Sequence, residues 1–174
     1  MAAAIVVFIL IRTFLFSPVS VDGDSMVPTL HDHDRLILNK VSSVDRFDVI
    51  VFDAPDDPGK QYIKRVIGLP GDTIEVQDDQ LHINGKEYSE NYLDSSLYQL
   101  EAWENYTEDF SLSSLGDKQQ VPADSYFVMG DNRLNSKDSR SFGFVKKEQV
   151  IGTAEFRIWP FDALGNIDKQ EKEE

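Results

Sequence analysis

Three separated segments of this 174-residue chain carry side chains able to do covalent chemistry. The first is Asp22-Gly-Asp-Ser-Met-Val-Pro-Thr-Leu30, where a Gly- and Pro-framed turn can expose the Ser25 hydroxyl and leave its backbone N–H facing a ligand oxygen. Gly23-Asp-Ser25-Met-Val27 lacks the second glycine of a nucleophile elbow, and no Ser-x-x-Lys occurs, so the hydrolase-elbow and penicillin-binding arrangements are excluded. Serine is also a default turn residue, and in such a loop it is structural far more often than catalytic, so this segment alone is a weak signal. The second segment, Gln61-Tyr-Ile-Lys-Arg-Val-Ile-Gly-Leu-Pro-Gly-Asp72, sets an amine among Ile63, Val66 and Ile67. An ordinary lysine, with a pKa of about 10.4, is a free base in only about one molecule in 2,500 at pH 7. Desolvation by about three units would make Lys64 a usable general base. An edge-strand lysine reaching solvent is the alternative. Strand alternation puts Arg65 on the other face, where it can hold a carboxylate. The third segment, Met129 to Gly143, is rich in Asp, Asn, Ser and Arg. Asp138 and Arg140 read as an ion pair there, and Ser136 or Ser139 can hydrogen-bond a neutral amine without charging it.

These segments must be held by short strands. After Pro18 the chain breaks into β-like stretches separated by Gly, Pro and Asp, and the expected strands are Arg35–Asn39, Phe47–Phe52, Gln61–Ile67, Thr73–Val76, Leu81–Ile83, Tyr126–Met129 and Val150–Ile158. Asn84-Gly85 between Leu81-His-Ile83 and Lys86-Glu-Tyr88 is the strongest hairpin signal. Residues 88–120 turn polar and aromatic and lose periodicity, which marks an insertion. The net charge of −14 argues against nucleic acid as a partner, and Cys 0 removes thiolate nucleophiles and disulfides. Residues 1–17 are apolar apart from Arg12 and lack both a basic leader region and a small-residue cleavage site, so a membrane anchor helix is expected. Sixteen residues reach only roughly 24 Å, so the expected span begins upstream. A buried helix is the alternative. The end, 166–174, is expected to be a charged, disordered tail.

Taken together, the chain resembles the type I signal peptidase family, membrane-anchored Ser/Lys endopeptidases, in its small Gram-positive form. The resemblance is carried by the apolar segment with its Ile-Arg-x-Phe-x-Phe ending, Ser25-Met26-x-Pro28-Thr29-Leu30, and Tyr62-x-Lys64-Arg65-Val66-Ile67-Gly68-x-Pro70-Gly71-Asp72. It continues through Gly130-Asp131-Asn132-Arg133-x-Asn135-Ser136-x-Asp138-Ser139-Arg140 and Phe156-x-x-Trp159-Pro160. It implies a mainly β fold, with antiparallel sheets around a Ser/Lys site preceded by one N-terminal transmembrane helix. A peptidase domain over 18–165 would lie on the extracytoplasmic side of the cell membrane, anchored by a single pass in the lipid bilayer. By the same likeness Ser25 is the nucleophile, Lys64 the general base and Ser136 the hydroxyl that orients the lysine, with Asp138 and Arg140 as the supporting ion pair. No metal or cofactor is implied, and the substrates would be secretory preproteins cut after small-x-small sequences such as Ala-x-Ala.

Two rival functions are a soluble Ser/Lys self-cleaving repressor core and an anchored, non-catalytic surface protein. The first would need a DNA-binding half and the opposite charge. Weaker signals are His31-Asp-His33 as a metal pair without a third ligand, and Asp22-Gly-Asp24 as the start of a calcium loop without its terminal glutamate.

Overall fold

The computed structural model describes residues 15–98, 100–101 and 104–167. Turn residues cut the chain into twelve short strands: β1 Phe16–Ser20, β2 Arg35–Asn39, β3 Val49–Asp53, β4 Gln61–Gly68, β5 Ile74–Gln77, β6 Gln80–Ile83, β7 Lys86–Tyr88, β8 Phe110–Ser111, β9 Ser125–Met129, β10 Val145–Lys146, β11 Val150–Trp159 and β12 Gly165–Asn166. Every pairing is antiparallel. The larger sheet runs β1-β2-β11-β3-β4-β9-β10 with β12 beside β11, and the smaller runs β7-β6-β5-β8. Among the described residues the α-helices are single turns, α1 Leu112–Leu115 and α2 Ser139–Phe142.

Burial follows the two-residue period of a pleated strand. In β9, Phe127 and Met129 face the smaller sheet and join Ile67, Ile74, Val76, Leu81 and Ile83, while Tyr126 and Val128 face a second cluster with Ile50, Phe52 and Val66. Both faces of this central strand are therefore covered, and all five of its residues are buried. A third cluster, built on Met26, Leu30, Leu36, Leu38, Val49 and Val51, fills the space beneath the turn that carries Ser25. The β6–β7 hairpin turns through Asn84 and Gly85, both at positive φ (55° and 77°), as the Asn-Gly pair requires.

Two boundaries expected from sequence are corrected. Residues 1–14 of the expected anchor lie outside the described residues, but Phe16 and Ser17, at its end, are strand, paired with Asn39 and Leu38. Pro18 explains this: it breaks a helix but is accepted in a strand at the border of a sheet, which β1 is. Among the described residues no helix is long and apolar enough to cross a membrane. At the other end, Asn166 pairs with Phe156 and Ile167 is 3% exposed, so the expected tail begins later than 166.

Candidate functional site

Met26 and Leu30, both at 0% exposure, plug the Ser25 turn into the third cluster and fix its height over the sheet. Lys64 reaches the same place from β4, where it pairs with Ile50. Its Nζ lies 2.6 Å from Ser25 Oγ and donates to the Ile63 carbonyl at 2.9 Å. The residue is 4% exposed. Burial lowers its pKa to about 8, against the opposing pull of the Asp138 and Asp131 carboxylates. The two residues meet in a cleft of about 300 Å³ walled by Val19–Asp22 on one side and Gln61–Lys64 on the other, with Val51 and Lys137 completing the lining.

Consecutive rather than alternate residues line each wall, so the cleft is flanked by strand edges and not by sheet faces. β1 ends the sheet, and β9 pairs with β4 only from Arg65 onward, which leaves Gln61–Lys64 without a neighbour on that side among the described residues. Three strands separate β1 from β4 in the sheet order, yet both wall one cleft, so the sheet curls.

Arg65, one residue from Lys64, sits at 0% exposure on the opposite side. It grips Asp131 through Nε at 2.9 Å and a terminal nitrogen at 2.6 Å, donates to the Phe47 carbonyl, and stacks 4.0 Å from the Tyr92 ring centroid. Thr29 Oγ1, in the Ser25 segment, donates to the same carboxylate at 2.5 Å. The expected carboxylate partner of Arg65 is thus Asp131.

The third segment forms the floor behind the serine. Asp138 accepts from Arg140 on both oxygens at 2.8 Å and from the Gly130 N–H at 3.0 Å. Burial works to raise the Asp138 pKa, but Arg140 and the Gly130 N–H hold it below the usual carboxylate range. A methyl group added at Gly130 would fall 2.2 Å from Ser136 Oγ and 2.4 Å from the Ser25 carbonyl oxygen. Ser136 therefore lies beside the Ser25 backbone. Its Oγ is buried and forms no bond to Lys64, and the hydroxyl lies close enough to Asp138 to help hold that carboxyl down. Ser139, the alternative hydroxyl, accepts from the Val128 N–H in α2's packing against β9.

Sequence reasoning passed over Asn132 and the aromatic insertion. Asn132 holds the peptide carbonyls of Asp24 and Ser25. From the insertion, Tyr106 Oη donates to the Asp131 carbonyl, Tyr98 Oη to Asn132 Oδ1, and Glu90 pairs with Arg133. The signal was present as Tyr92, Tyr98 and Tyr106, amphipathic rings whose hydroxyls need partners when buried. His33 lies on an exposed turn beside Asp32 and faces none of these groups.

The signal peptidase family model, peptidase S26, matches residues 1–159. Signal peptidase I S of Bacillus subtilis (strain 168) is 43% identical over 168 residues, covering 92% of this chain and 86% of its own length. Signal peptidase I of Bacillus caldolyticus is 46% identical over 162 residues, covering 91% and 87%. The crystal structure of a signal peptidase I from Enterococcus faecalis V583 matches with a TM-score of 0.62 and 47% identity, covering 65% of this chain and 97% of that one. A hydroxyl against a buried amine, on a scaffold shared with these proteins, places the chain in the signal peptidase family S26, and it is a serine endopeptidase of that family.

Proposed function

We propose that this chain removes signal peptides from secretory preproteins by a Ser25/Lys64 dyad, cutting after small-x-small sequences. The observation that carries this reading is the 2.6 Å contact between Ser25 Oγ and a lysine amine at 4% exposure. In the neutral form, the Lys64 amine accepts the Ser25 proton while Oγ bonds to the scissile carbonyl carbon. As that intermediate collapses, the C–N bond breaks and the lysine ammonium returns the proton to the leaving amine. Water, deprotonated by the same lysine, then hydrolyses the acyl ester. The Ser25 N–H, which donates to no described residue, faces the developing oxyanion.

The open edges of β1 and β4 suit an extended peptide, which can take main-chain hydrogen bonds from both walls. Valine and isoleucine side chains between them leave shallow apolar room suited to alanine. The apolar segment before β1 supplies the anchor in the lipid bilayer in this reading, as a single pass with the sheets that begin at Phe16 on the extracytoplasmic side and 88–120 as the insertion. Asp138 and Arg140 hold the Gly130 floor, and the Ser136 hydroxyl, set beside the Ser25 backbone, orients the lysine once substrate is bound in this reading.

The test is pH. Only the unprotonated amine acts as base, so kcat/KM should rise nearly tenfold per pH unit below about 8 and level off above it. A profile flat from pH 5 to 9 refutes the base assignment, and one still climbing past pH 10 refutes the desolvation. Gly130→Ala supplies a geometric check. Its added carbon must displace the Ser25 backbone or Ser136. A shift of about 1 Å at a reacting centre can lower turnover by roughly 100-fold, measured on a preprotein ending in Ala-x-Ala.

A further inference from the structure

We propose that Asn132 is a positioning residue that aims the Ser25 amide N–H at the oxygen of the carbonyl under attack. The inference rests on the Ser25/Lys64 reading above and adds a residue to which that reading gives no part. The Asp24 carbonyl and the Ser25 N–H belong to one planar trans peptide unit, so holding the carbonyl sets the direction of the N–H. Asn132 Nδ2 donates to that carbonyl at 3.0 Å. The Asn132 backbone N–H donates to the next carbonyl, that of Ser25, at 3.1 Å. One residue therefore grips the peptide units on both sides of the nucleophile.

The side-chain amide has a single workable orientation. Its Oδ1 accepts from Tyr98 Oη at 2.5 Å and from the Asn135 N–H at 3.1 Å, and an NH₂ group in that place could accept from neither. Nδ2 is thus directed at Asp24. Asn132 is 3% exposed, so water does not compete for these bonds. Tyr98 comes from the 88–120 insertion, which makes that segment part of the same device: its phenol locks the amide, the amide locks the peptide, and the peptide presents the N–H.

Preorganised oxyanion donors are worth roughly 100- to 1,000-fold in kcat when removed. Loosening one without removing it should lower kcat by roughly 10- to 100-fold, because the N–H is still present but no longer held. Substrate contacts elsewhere in the cleft are untouched, so KM should stay within about twofold.

The experiment uses the full chain with an Ala-x-Ala peptide substrate and a peptide aldehyde of the same sequence, which adds Ser25 Oγ to form a tetrahedral hemiacetal. Asn132→Ala and Asn132→Asp are compared with Tyr98→Phe, a milder change at a partly exposed site. The aspartate keeps the shape but cannot donate to the Asp24 carbonyl, so its loss should equal or exceed that of alanine. Tyr98→Phe should lose several-fold in kcat. In each variant the aldehyde should weaken in proportion to the fall in kcat/KM, with the pH midpoint unmoved in Asn132→Ala and Tyr98→Phe, which add no charge near Lys64, and raised in Asn132→Asp, whose new carboxylate favours the ammonium as Asp131 already does. Unchanged kcat in all three variants overturns the proposal. So does a loss in Asn132→Ala or Tyr98→Phe that travels with an equal change in KM or a shifted pH midpoint, since a loop that has merely collapsed would move those. Ser25→Ala is assayed alongside. Full activity there would overturn the dyad reading itself, whatever the Asn132 variants do.

Discussion

Lys64→Arg should abolish cleavage with the fold intact. The guanidinium keeps the positive charge and most of the length, but with a pKa above 12 it has essentially no neutral fraction at pH 8 and cannot take the Ser25 proton. Removing a general base of this kind costs roughly 100- to 10,000-fold, so residual turnover should sit near the background of a Ser25→Ala control. The measurement is processing of an Ala-x-Ala preprotein at pH 8, with near-ultraviolet circular dichroism to verify the fold. Normal turnover by Lys64→Arg would remove Lys64 from the reaction and leave the 2.6 Å contact as a structural hydrogen bond.

Asp131→Ala should produce the largest loss of stability of any single change near the site. Arg65 and Asp131 are both fully buried, and the carboxylate also takes the Thr29 hydroxyl. Deleting the acid strands a guanidinium away from water, and breaking such a pair by removing one partner costs about 3–5 kcal/mol. In a domain of this size each kcal/mol moves the thermal midpoint by about 2–4 °C, so a fall on the order of 10 °C is expected by calorimetry. Asp131→Asn keeps an oxygen for Arg65 and should fall by less. A midpoint within a degree or two of wild type for Asp131→Ala would show that water or another acid reaches Arg65.

Much of this arrangement could be read from residue order, and the reasons differ from place to place. The strand at Arg35–Asn39 and the Asn84-Gly85 turn emerge as expected because alternation and positive-φ chemistry are local properties. Lys64 was readable because aliphatic neighbours in a strand force an amine to lose water. Arg65 was readable because its face follows from that of Lys64. β1 was hidden: Phe16 and Ser17 continue an apolar run, and nothing local marks where such a run turns into strand. β8, β10 and β12 are two residues each, too short to carry a period. Asn132 was hidden for a different reason. Its bonds run to Asp24 and Tyr98, 108 and 34 residues away, and only the curled sheet brings those partners together. The expected contact of Ser136 with Lys64 is not formed, although Gly130 sets that hydroxyl beside the Ser25 backbone.

The two borders flanking the cleft, unpaired among the described residues, have a bearing on aggregation. A bare strand border normally invites another molecule's sheet to dock and so seeds aggregation. Here the borders of β1 and β4 face inward across a gap of about 300 Å³, room for a lone chain but not for a pleated layer. The geometry that admits a threaded polypeptide thus leaves little room at this cleft for a second sheet, and the borders left to meet another molecule are those of β7, β8 and β10.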